Sequence, residues 1–313
     1  MAATGYVGYE TKTGFGQTLK RTFIEFKEDS LSDWAAGLTY YGVLSLFPAL
    51  LALVSIFGLV GNPQTVTRTL LDIVGQLGSQ SAVQTLRGPI TSITANSSAA
   101  TVSFVLGILA ALFSASKYVG GFMRASNVIY EVHEGRSILK LRPLQMLVTL
   151  LMILLVVAAT IALVVTGPVA RAIGSAIGVG STAVTVWNIA KWPVLVLFVA
   201  LALAVLYYAS PNAKPSGFKS ILPGALVAVV VWILVSVAFA LYLAFFGVKG
   251  TYGSFGGVIV FLIWLWLTNI AVLFGAEFNA ERERDRQMGA RAPGATRDLQ
   301  LDERDEPERP HTT

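Results

Sequence analysis

Six stretches of roughly 20 or more mostly apolar residues constrain this chain more than any other feature. They fall at about 37–60, 99–119, 144–167, 186–208, 221–246 and 254–278. A helix needs roughly 20 such residues to cross the hydrocarbon core of a bilayer, so each is a candidate span. The third, LQMLVTLLMILLVVAATIALVVTG, carries no charge along its whole length. The first contains Pro48 within LSLFPALLALV, where a kink is tolerable because neighbouring helices can satisfy the freed carbonyl. The second ends in FSASKYVGGFMRASNVIY and is predicted to continue as a helix past the membrane surface. The expected fold is therefore all-α, a polytopic membrane bundle of six transmembrane helices.

The charges support that reading. Only 13% of the 313 residues are charged and 54% are hydrophobic, against about 25% charged in soluble domains. Outside the spans, the N-terminal tail has four Lys or Arg, the second loop four, the fourth loop two and the C-terminal tail seven; the alternate loops have only Arg68, Arg87, Arg171 and Lys249. Seventeen against four predicts both termini inside. Trp34, Tyr40 and Tyr41 at the start of the first span, Trp187 and Trp192 opening the fourth, and Tyr207 and Tyr208 closing it are placed like interfacial belts. The expected organisation is a cytoplasmic N-terminal segment with an amphipathic helix (1–33), a six-helix transmembrane domain (34–280) and a charged, largely disordered cytoplasmic tail (281–313).

Two segments outside the spans have helical periodicity. Phe15, Leu19, Phe23 and Phe26 form one stripe, with Lys20, Arg21, Glu25 and Glu28 on other faces, as in a helix lying in the inner headgroup layer. In the first outer loop, Val66, Leu70, Ile73, Val74 and Leu77 recur in the same way.

Several chemistries are poorly served. With no Cys, disulfides, Cys-zinc sites and thiol nucleophiles are excluded. Residues 1–33 are too polar for a cleavable signal peptide. The net charge of +5 is spread over four segments rather than gathered for nucleic acid. Of two His, His311 lies in the tail and His133 stands between Glu131 and Glu134, whose side chains diverge on a helix, so no metal is expected. There is no phosphate-binding glycine loop, and Ser45, Ser103, Ser114 and Ser236 have no base at their depth. No cofactor and no enzyme activity are expected.

Four stretches taken together resemble the YihY/BrkB family of bacterial inner-membrane proteins, once mislabelled as ribonuclease BN. They are AAGLTYYGVLSLFPALLAL (35–53), LFSASKYVGGFMRASNVIYEVHEGRS (112–137), YYASPNAKPSGFKSILPGALVAVVVW (207–232) and TYGSFGGVIVFLIWLWLTNIAVLFGAEFNAE (251–281). The resemblance implies a multi-pass protein of the bacterial inner (plasma) membrane, with no established biochemical activity for most members.

Polar and helix-loosening residues within the spans mark the candidate substrate path: Tyr41, Ser45 and Pro48 on the first helix, and Gly253, Gly257, Asn269 and Glu277 on the last. Gly253 and Gly257 have the spacing for close helix approach, Asn269 must find a partner, and Glu277 lies within reach of Arg282 or Arg284. Lys117 and Lys191 lie near span ends and can snorkel to the interface. Arg124, Arg136, Lys140 and Arg142 beside the inner leaflet are expected to attract anionic lipid headgroups. The leading expectation is a non-enzymatic translocator of an amphiphile such as an envelope lipid. A structural or scaffolding envelope protein is the second reading, and a ribonuclease is disfavoured. Oligomeric state, including a homo-oligomer, stays open.

Overall fold

A computed structural model describes residues 14–60, 97–164, 181–246, 256–290, 299 and 301–306, with isolated positions between 67 and 91; the side chains at 47–60, 97–100, 103–104, 160–164, 181–185 and 188 are not included. Among the described residues the chain is all-helical, with one isolated bridge between Ala213 and Glu303 in place of any strand. The helices are α1 (Phe15–Glu28), α2 (Leu31–Val60), α3 (Ser97–Ile129), α4 (Ile138–Val164), α5 (Ser181–Ala209), α6 (Phe218–Phe246) and α7 (Gly256–Gly289). Five of them, α3 to α7, contain described stretches long and apolar enough to cross a membrane. The helix α2 runs unbroken through position 48.

Two boundaries carry physical information. The helix α3 continues to Ile129, as its sequence predicts. The helix α7 has 34 residues and extends about 50 Å at 1.5 Å per residue, well beyond a hydrocarbon core of about 30 Å. Residues 281–289, which composition assigns to the charged tail, are thus the projecting end of α7.

Many of the large apolar residues point outward. On α6, Leu226, Val230, Leu234, Val237 and Leu241 form an exposed stripe at three- and four-residue spacing, while Ile221, Gly224, Ala225, Ala228 and Val229 face inward. Large side chains outside and small ones inside are what lipid solvation and close helix packing require, because hydrocarbon gives no reason to bury Leu or Val.

The chain divides into two compact units. The first comprises residues up to 36, 119–237 and from 267 onward. A close contact within it joins α6 and α7 at two glycines, Gly224 and Gly275. A methyl group added to Gly275 would lie 2.6 Å from the Ala228 Cβ and 2.7 Å from the Tyr207 hydroxyl, which no substitution tolerates without a backbone shift. Asn279 fastens the same contact, accepting from the Gly224 N–H at 2.8 Å and donating to the Ile221 carbonyl at 3.0 Å. Phe122 stacks on Tyr207 with centroids 5.9 Å apart, and the Tyr207 hydroxyl donates to the Val272 carbonyl.

The second unit comprises 37–118 and 238–266. Within it α2 meets α7, where a methyl group on Gly42 would come within 3.4 Å of Leu265. Of the outer-loop stripe, Val66, Leu70, Ile73, Val74 and Leu77 lie outside the described residues.

Candidate functional site

Several of the polar side chains buried in the first unit gather where α1, the C-terminal end of α3 and the projecting end of α7 meet. The orientation of α1 decides what happens there. Its sequence stripe is exposed at Phe15, Leu19 and Phe23, and the face turned to the protein is Thr18, Arg21 and Thr22. Phe15 meets Phe278 of α7 edge-on and Phe26 meets Phe274 at a tilt, with ring centroids 5.7 Å and 5.9 Å apart. An interfacial helix whose apolar face meets lipid must dock through its polar face, and Arg21 does so. Its guanidinium donates to Glu281 at 2.7 Å and also pairs with Asp285, which accepts from the Thr18 hydroxyl as well.

Behind Arg21 lies an acid-rich cluster. Glu277 and Glu281 are buried on one face of α7. Arg284, one turn on, donates to Glu281 at 2.8 Å and to Glu131 at 2.6 Å. The Glu277 Oε2 has no hydrogen-bond partner among the described residues, and the charges bearing on it are those of Asp29, Glu281, Glu25 and Arg284. The pairing of Glu277 with Arg282 or Arg284 that the spacing predicts is replaced by this arrangement, because Arg284 is taken by Glu281 and Glu131. Burial, and then the nearby Glu281 carboxylate, push Glu25 up to about 7. Burial, and then Glu131, push Asp29 up to about 7.

Beside the cluster, between α1, α6 and α7, is an open recess of about 600 Å³. Its walls are Phe15, Leu226, Val227 and Phe278, and Arg282, Asp285 and Arg286 stand at its polar end. The Asp285 charge is met by Arg21, and Arg286 pairs with Glu283 at 3.0 Å. Arg282 has no hydrogen bond or ion pair among the described residues.

A second polar node lies on the loops after α3 and α5. Arg136 is buried, donating to both Glu134 oxygens at 2.7 Å and to the Ser210 carbonyl at 2.9 Å. Burial alone would raise Glu134, but the hydrogen bonds from Arg136 outweigh it and hold the carboxyl below its ordinary value. The Asn212 amide donates to the carbonyls of His133 and Asp305, and Arg304 donates to the carbonyls of Ala213 and Tyr208. Where composition predicts a largely disordered tail, residues 302–305 are thus stitched to both loops, and Leu299 is buried with its N–H on Glu131.

The sequence-predicted path residues fall in different units. In the second, Tyr41 is half-buried beside Tyr40, and the Ser45 hydroxyl donates to its own helix at the Gly42 carbonyl, 2.7 Å away. Gly257 is exposed, and a methyl group there would meet nothing within 4 Å, so the close helix approach is made by Gly224 and Gly275 instead. In the first unit are Asn269, 1% exposed, and Glu277. Gly253 and the side chain of Pro48 lie outside the described residues. Lys117 and Lys191 rest over the rings of Phe113 and Trp192. Of the loop cations, Lys140 pairs with Asp305 and Arg142 donates to Gln145, while Arg124 is exposed.

Comparison with known proteins fits this architecture. The family described as Virulence factor BrkB matches residues 22–300. The chain belongs to the BrkB family. Among its relatives, the Bacillus subtilis (strain 168) ribonuclease-like protein YfkH is 31% identical over 263 residues, covering 84% of this chain and 94% of that protein. A UPF0761 membrane protein of Alkalilimnicola ehrlichii is 26% identical over 286 residues, covering 87% of this chain and 60% of the relative. One of Alteromonas mediterranea is 26% identical over 266 residues, covering 84% and 85%. No solved structure gives a significant match.

This BrkB-family chain is therefore a multi-pass membrane protein. Its sequence holds a signal for the cluster that composition hides: Glu277, Glu281 and Arg284 recur at four and three residues, one face of a helix. Phe278, Arg282, Asp285 and Arg286 form the adjacent stripe, which lines the recess. Nothing local marks the burial of Arg21, whose partners lie about 260 positions away.

Proposed function

We propose that this BrkB-family protein is a non-enzymatic translocator of an amphiphile, an envelope lipid in the first instance. In this reading it sits in the bacterial inner membrane with six spans and both termini in the cytoplasm. The observation that carries the reading is the recess between α1, α6 and α7, apolar along its walls and charged at the end where α7 changes from apolar to charged residues. Its size is in the range of ligand sites, and its opening between helices with lipid-facing stripes suits a molecule arriving from the bilayer. Tyr41, Ser45, Pro48, Gly253, Gly257, Asn269 and Glu277 belong to the proposed path through the helices.

The scaffold reading loses one support, since residues 302–305 direct their polar groups to the chain's own loops rather than to a partner. A ribonuclease, as the Bacillus relative is named to resemble, would need a metal set or paired bases. His133 is exposed beside Glu303, and no group of three or more metal-capable side chains occurs among the described residues. Purified protein given structured RNA and a divalent metal is expected to leave it intact.

The test of the translocator is reconstitution into vesicles with fluorescent lipid in one leaflet. Val227→Trp, which fills the recess, is expected to slow lipid movement at least several-fold relative to wild type without loss of folded protein. Unchanged movement in the filled variant would overturn the role given to the recess.

A further inference from the structure

We infer that the recess between α1, α6 and α7 is a binding site for an anionic phospholipid of the inner leaflet, with Arg282 as the cation that holds its phosphate. The inference deepens the translocator reading by naming the substrate class, and it rests on that reading only for the side of the membrane from which the lipid enters.

Three features point to this ligand. The first is the charge balance of the lining. Asp285 faces the recess, but Arg21 and the Thr18 hydroxyl already hold its carboxylate. Arg286 is committed to Glu283, whereas Arg282 is half-buried with no partner among the described residues. One cation in the recess is thus left uncompensated. A guanidinium partly withdrawn from water calls for a planar or tetrahedral oxyanion that can take two of its donors.

The second feature is the wall. Phe15 is 68% exposed and Leu226 is 51% exposed, and with Val227 and Phe278 they present an apolar surface beside the charge. A soluble anion would gain nothing from that surface, whereas an acyl chain would be desolvated by it.

The third is depth. Residues Phe261 to Phe278 of α7 carry one ionisable side chain, Glu277, which is buried and does not line the recess, and the dense run of charges begins at Glu281. Arg282 stands one turn beyond Phe278, about 6 Å along the axis, which is the separation between the top of an acyl chain and its phosphate. The loop cations offer no equivalent: Arg136 is enclosed by Glu134 and two carbonyls, and Lys140 is paired with Asp305.

The experiment titrates full-length protein in mild detergent with fluorescent phosphatidylglycerol and, separately, with fluorescent phosphatidylcholine. Wild type is expected to prefer the anionic lipid by about tenfold or more: both lipids bring a phosphate, but the choline of phosphatidylcholine places a second cation beside Arg282 and offsets the pairing. Arg282→Gln should remove the preference, Arg282→Lys should keep most of it, and Arg68→Gln, exposed and outside the recess, should leave it unchanged. Thermal unfolding of each variant at the wild-type temperature shows that the fold is retained. Equal binding of the two lipids by wild type, or an undiminished preference in Arg282→Gln, would overturn the inference. Displacement of the lipid by equimolar glycerol phosphate would overturn it too, since the site would then hold a free anion. The vesicle assay separates the two claims. If wild type moves no lipid but binds phosphatidylglycerol through Arg282, the translocator fails and the site stands. If wild type moves both lipids equally and Arg282→Gln is as fast, the site fails and the translocator stands.

Discussion

Glu277 and Arg282 lie five positions apart near the end of α7, yet helical geometry sends them to different surroundings. Glu277 points among carboxylates and keeps an oxygen without a hydrogen-bond partner among the described residues. Replacing it by its neutral isostere should relieve the crowding of negative charge: Glu277→Gln is expected to raise the unfolding temperature at pH 8. Thermal unfolding in detergent measures this, and a lowered unfolding temperature would show that the carboxylate charge is required by the fold. Glu277 is conspicuous in the sequence as an acid at the end of an apolar span. Its expected pairing was not what forms, because the choice of Arg284 depends on Glu131, which arrives from another helix. Likewise Gly224 and Gly275 have no more marked a local pattern than Gly253 and Gly257; only the register of α6 against α7 distinguishes them.

Among the elements, α1 was legible as an amphipathic helix but its docking was not. A stripe of Phe and Leu defines a lipid-facing side equally well whether the opposite side meets water or Glu281 and Asp285. The docked side has a pH signature. Glu25 and Asp29 have folded values near 7 against ordinary values of 4.5 and 3.8. Between about pH 4 and 7 the folded chain therefore holds protons that the unfolded chain has released, so stability falls as pH rises through that window and levels off above it. Glu134, held low by Arg136, acts in the opposite direction but only below its ordinary value of 4.5. Unfolding temperature is accordingly expected to be higher at pH 5.5 than at pH 8, and the difference should shrink in Glu25→Gln/Asp29→Asn. A double variant with the full wild-type pH dependence would remove these two groups as its source.

For the whole molecule, the apolar segments were legible as helices because lipid leaves a composition signal that needs no tertiary information: α2 to α7 follow them to within a few residues at most ends, and five of these contain described stretches long and apolar enough to cross a membrane. The order of residues 302–305 was not legible, since much of it comes from backbone groups meeting Asn212, contacts that composition does not encode. Topology is a separate matter, proposed from the basic-residue count. The native chain has no Cys, so Asn96→Cys should react with an impermeant reagent in intact cells and Ala295→Cys should react only after lysis; the reverse pattern would invert the proposed orientation. The central claim is that the protein moves an amphiphile between leaflets. Its most direct measurement is the rate at which a membrane-impermeant quencher gains access to labelled lipid placed initially in the inner leaflet of vesicles. Vesicles carrying wild-type protein are expected to expose the label at least tenfold faster than protein-free vesicles, and equal rates for every envelope lipid tried would contradict the account.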